Sequence, residues 1–180
     1  MRQALTLMAA AAMLVAAGCS TGIKEGMGVV RGAKGVYAPV QPLAVTQDAR
    51  PLGEYTRFEM ETFRDAFGGK VPSQLIRNLP AEFDKRISAA GLSDAPGGKT
   101  LVVRGEIIHY EDEGLVGIVL GPLEEAIARV ELVDQSTGRI LGTANCIGRT
   151  TERVNKGVGK KTEGLAKAIV DWIKSRYPED

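Results

Sequence analysis

The sequence is poor in the residues from which reactive and metal centres are built. It has two cysteines, Cys19 and Cys146, and a single histidine, His109. An activated thiol wants a basic partner, and nothing in the sequence brings His109 to Cys146. One imidazole with one thiol also falls short of the three or four ligands of a zinc site. Charge is equally sparse in net terms: 23 basic and 22 acidic residues leave +1. That balance argues against nucleic acid, whose affinity comes largely from counterion release by a basic surface. The apolar segment Ala4 to Ala17 is too short to cross a bilayer, which takes about 20 residues.

Motifs with a mechanism are missing as well. "GVGKKT" at 157 to 162 contains G-K-K-T, but a phosphate-binding loop needs Gly at the position held by Val154 and a strand feeding it. "DQSTG" is a turn and lacks the D-[ST]-G of an aspartic protease. Glu111, Asp112 and Glu113 lack the alternating ligands and central Gly of a calcium loop. Glu59 and Glu61 share a strand face with Arg57, where a cross-strand ion pair is the ordinary use of such residues. The expectation is no catalytic residue, no metal and no cofactor.

What is present begins at the N-terminus. Arg2 is followed by the apolar segment and then by small residues, the pattern of a cleaved export signal. The ending "VAAGC" resembles the lipobox of bacterial lipoproteins, which implies that Cys19 is acylated on sulfur and becomes the first residue after cleavage. Lipidation consumes that thiol, so Cys19 does not pair with Cys146, which stays a lone, buried small hydrophobe. Ser20, next to Cys19, resembles the sorting position of lipoproteins sent to the outer membrane. Removing residues 1 to 18 takes away Arg2 and no acid, so the remainder carries no net charge. It is long enough for one compact domain.

The organisation expected is a signal peptide over 1–18, a lipidated Cys and flexible tether over 19–53, and one domain over 54–180. The tether is punctuated by Gly and Pro without a helical or strand period, with "GVYAPV" a candidate to pin to the domain as an extra edge segment. In "YTRFEMETFRD", Thr56, Phe58, Met60 and Thr62 alternate with Arg57, Glu59 and Glu61, which predicts a half-buried strand. Ile76, Leu79, Phe83, Ile87 and Ala90 predict a helix ending at Gly91, with Pro80 kinking it or starting its second half. "KTLVVRGEIIHYEDEG" predicts a second strand. "EEAIARVELVDQSTGRILGTANCIGRT" predicts a hairpin whose turn has Gly138 at positive φ. Leu165, Ile169, Trp172 and Ile173 form the stripe of a last helix. The order β-α-β-β-β-α predicts an α+β two-layer sandwich, a mostly antiparallel four-stranded sheet with two helices on one face.

Two surface features stand out. The run Leu115, Val116, Ile118, Val119 and Leu120 lies between acids, and reads either as a segment tucked over the core or as an exposed tip for a lipid surface or a partner. Arg149, Arg153, Lys156, Lys160 and Lys161 cluster around the start of the last helix, a candidate basic patch or simply a solvated helix end. "LVVRGEIIHYEDEG" followed by "ARVELVDQSTGRILG" resembles small bacterial lipoproteins of the domain-of-unknown-function family 4410. That family has no assigned activity, so the resemblance implies fold and location only. The function expected is a non-catalytic binding or accessory module. It would be lipid-anchored in the outer membrane through N-terminal acyl chains, face the periplasm and contact an unidentified envelope protein, with a small envelope hydrolase as the alternative.

Overall fold

A computed structural model describes residues 34–41, 51–92, 97–111, 124–150 and 157–177, all within one unit, Gly32–Asp180. Its elements are β1 (Lys34–Gln41), β2 (Tyr55–Met60), β3 (Arg64–Asp65), α1 (Ser73–Ala89), β4 (Lys99–Tyr110), β5 (Glu124–Asp134), β6 (Ile140–Thr150) and α2 (Gly157–Lys174). The fold is α+β, with two helices and an open sheet.

The sheet has six strands in the order β1-β6-β5-β4-β2, with β3 also beside β4. This corrects the expectation of four mostly antiparallel strands. β4, β5, β6 and β1 are antiparallel, whereas β2 and β3 run parallel to β4, so the sheet is mixed. The physical reason lies in the connection. From β2 the chain passes through α1 before reaching β4, and a helical crossover returns the chain parallel, whereas a short turn returns it antiparallel. β1 falls within the expected tether and takes the edge position for which "GVYAPV" is the candidate. Leu52, also in that stretch, is fully buried, and its N–H donates to the Arg176 carbonyl at 3.1 Å.

Alternation sorts the two faces as the sequence predicts. Leu101, Val103 and Ile107 of β4, Ala126, Ala128, Val130 and Leu132 of β5, and Ala144 and Cys146 of β6 all point into the core and are inaccessible to solvent. α1 buries Leu75, Leu79, Phe83 and Ile87, one residue per turn. The helix runs on through Pro80 rather than restarting there. It ends in a Schellman motif, with the Gly91 N–H donating to Ser88, the Leu92 N–H to Ile87, and Gly91 at φ 68°.

α2 lies over β6 and β1 and against α1. It sits so close that glycine is required beneath it. A Cβ on Gly148 would collide with the Lys161 carbonyl and lie 2.6 Å from the Leu165 nitrogen. One on Gly35 would collide with the Gly164 carbonyl and lie 2.6 Å from the Ala168 nitrogen. From the helix side, a Cβ on Gly164 would stand 2.6 Å from the Lys34 carbonyl. Three glycines on three elements thus form a seam along which helix and sheet backbones touch.

Candidate functional site

The helices cover one face of the sheet, and the other carries the polar positions of every strand. Cross-strand register arranges them in rows. One row runs Arg64, Glu106, Arg129, Asn145 and Ala38 across five strands. A second runs Arg104, Glu131 and Thr143. Between the first row and the Lys34 end of the sheet lies a row of Val36, Ile147 and Ile127 that ends in His109.

Most of the charges on this face neutralise one another. Arg104 Nε donates to Glu131 at 2.8 Å, Arg149 Nε to Glu125 at 3.0 Å and Arg64 to Glu106 at 3.1 Å. These are cross-strand pairs, solvent-accessible to differing degrees and worth a few tenths of a kcal/mol to about 1 kcal/mol each. Arg57 turns to the Gly98 carbonyl at 3.1 Å, and Glu59 accepts from Gln135 at 3.0 Å, so these two do not pair with each other.

Arg129 differs from its neighbours. It is exposed and makes no ion pair among the described residues. The carboxylate opposite it in register, Glu106, is taken by Arg64. On its other side stands Asn145, whose Oδ1 is buried without a hydrogen-bond partner among the described residues. A depression of about 370 Å³ lies over this region, lined by Arg129 together with Glu61, Arg64, Arg104, Glu106 and Glu131. The Arg129 guanidinium, unspent among the described residues in a shallow, charged hollow, suits recognition by hydrogen bonding. Sequence alternation puts Arg129 on this face, but only the register shows that Arg64 takes its acidic neighbour.

The remaining sequence-predicted residues scatter. Arg149 is tied to Glu125 on the open face, and Lys160 to Glu163 at 3.0 Å on α2. Lys161 is corrected from the candidate basic patch: it is fully buried, its ammonium donating to the Glu111 carbonyl and sitting 4.3 Å from the Tyr110 ring centroid. The helical register turns it toward the sheet, next to Gly148. Arg153 and Lys156, the run Leu115, Val116, Ile118, Val119 and Leu120, and Cys19 all lie outside the described residues.

His109 and Cys146 are on opposite faces of the sheet. His109 packs edge-on against Phe67 at 5.3 Å between centroids, with Nε2 3.9 Å from Glu111. Cys146 is buried beneath α2, and burial raises its thiol pKa well above the ordinary range. The described residues contain no group of three or more possible metal ligands, and no helix long and apolar enough to cross a membrane.

No protein-family model and no curated protein matches the chain. Solved structures do resemble it. A dodecamer of a PelC point variant from Paraburkholderia phytofirmans aligns with a TM-score of 0.51 at 14% identity, over 82% of this chain and 99% of that one. A second PelC dodecamer structure from the same organism aligns at 0.52 and 12% identity, with the same coverage. The likeness is one of fold: almost the whole of the PelC chain corresponds to this domain.

Proposed function

We propose that the protein is a lipid-anchored bacterial envelope lipoprotein of the outer membrane whose periplasm-facing domain is a non-catalytic binding or accessory module. The lipobox at Cys19 supports the anchor. The observation that carries the binding role is Arg129, exposed in the hollow and without an ion pair among the described residues. A guanidinium left unspent on a face whose other arginines are matched suits a protein surface that offers it a carboxylate or carbonyl oxygen. The PelC chains that share this fold are dodecamers, which makes a second copy of this chain the first partner to test. The resemblance to the family numbered 4410 supports the envelope location and adds no role.

The test is photo-crosslinking in cells from a reactive residue placed at Glu61, which lines the hollow beside Arg129, compared with one at Asp84 on the exposed side of α1. Discrete adducts from position 61 and none from 84 are expected, and an adduct at twice the mass of the mature lipidated chain would identify a second copy. Equal adducts from both sites, or none from 61, would contradict the assignment.

A further inference from the structure

Sheet register fixes the end at which the chain enters the domain. Lys34, the first residue of β1, stands opposite Arg149, and Arg149 opposite Glu125. The Glu111 N–H donates to the Glu125 carbonyl at 2.8 Å. The start of β1, the end of β4, the start of β5 and the end of β6 therefore share one end of the sheet. α2 begins there too, since its residues Lys161 and Gly164 lie against Gly148 and Gly35. The opposite end carries Lys99 and the β5–β6 turn through Gln135 and Gly138. β6 has 11 residues, so the two ends stand about 35 Å apart.

On the lipidation reading, only residues 20 to 33 separate the acylated Cys19 from Lys34. Residues 20 to 33 lie outside the described residues; an irregular linker of that length, the expectation from the sequence, spans about 20 Å on average and about 50 Å when fully extended. Its average reach is shorter than the sheet is long. Turning the domain over would carry Lys34 some 35 Å from the bilayer, about the length of the sheet, and stretch the linker toward its limit.

We infer that the end of the domain bearing Lys34, Glu111, Glu125 and Arg149 faces the phospholipid headgroups, and that the 135–138 turn points away from the membrane. This rests on the Cys19 lipidation reading and adds an orientation to it. Arg149 and Lys160 at this end are already matched, the first with Glu125 and the second with Glu163. The tether sets the orientation rather than attraction to anionic lipid, so it persists in high salt. The open face then stands side-on to the bilayer, accessible to a periplasmic partner.

The test uses the full-length lipidated protein reconstituted in phosphatidylcholine–phosphatidylglycerol vesicles whose headgroups carry a fluorescence quencher. A fluorophore is attached at Glu111→Cys or Lys34→Cys for the near end, and at Gln135→Cys or Arg139→Cys for the far end. The native Cys146 is buried and stays unlabelled. Quenching at least about threefold stronger at the near-end positions is expected, unchanged in high salt. Equal or reversed quenching in a protein whose N-terminal peptide mass shows acylation overturns the orientation alone. A peptide mass without acyl chains overturns the anchor and the orientation with it.

Discussion

The hydroxyl of Tyr55 donates to Asp134 Oδ2 at 2.7 Å, tying the first residue of β2 to the last of β5 inside the protein. The same carboxylate accepts from the Ser136 hydroxyl and from the Thr137 N–H at 3.0 Å, and so organises the β5–β6 turn. The Ser136 and Tyr55 hydrogen bonds hold the Asp134 pKa well below its ordinary 3.8. Burial and the Asp134 contact push Tyr55 in the opposite direction. Because the folded-state pKa of Asp134 is depressed, its stabilisation is complete above about pH 4 and fades as pH falls below that.

Tyr55→Phe should lower the melting temperature by about 5 °C at neutral pH, by leaving a buried carboxylate short of a donor. The deficit relative to wild type should shrink on acidification from about pH 5 to about pH 2.5. Thermal unfolding of both proteins across that range checks it, and a deficit independent of pH would contradict the role given to Asp134.

The glycine seam sets a steric limit. Gly148→Ala should destabilise the domain by about 2 kcal/mol or more, because the colliding atoms are helix backbone and cannot rotate away. Gly159→Ala, where a Cβ meets nothing, is the control and should be neutral or slightly stabilising. Urea denaturation of the two variants separates these outcomes.

Cys146 should behave as a core side chain. In the native protein a water-soluble thiol reagent should leave it unmodified over hours, with one equivalent reacting once urea unfolds the domain. Fast native-state labelling would place the thiol at an accessible site, contrary to its packing beneath α2.

Arg129→Thr should leave stability within about 0.5 kcal/mol of wild type, since Arg129 makes no ion pair among the described residues and threonine suits a strand. It should nevertheless remove the adducts captured from neighbouring open-face positions. A marked loss of stability, or unchanged adducts, would count against this residue as an anchor.

Strand alternation and helical spacing make the central elements legible in the sequence. The stripes of β4, β5, α1 and α2, the stop at Gly91 and the turn at Gly138 follow from local physics. β1 is harder to see because its features also describe a loop. Gly35 is there to let α2 approach, and Pro39 sits beside a register shift on an edge strand, where a missing N–H is tolerated. Alternation reports which face a side chain takes and says nothing of strand direction, so the parallel pairing of β2 follows only from the helical crossover between β2 and β4. Lys161 escapes for a related reason: a lysine at a helix start suggests solvent, and only the close approach at Gly148 shows that its side of the helix is covered. At the candidate site the polar face is readable from alternation, but Arg129's lack of an ion-pair partner among the described residues depends on which cross-strand pairs form.

An anchored module requires, first of all, a lipidated Cys19. Metabolic labelling with a tagged fatty acid, followed by purification of the wild-type protein and of Cys19→Ala, tests it most directly. Label in the wild type and none in the variant is the predicted result. Label retained by Cys19→Ala, or absent from the wild type, would contradict it.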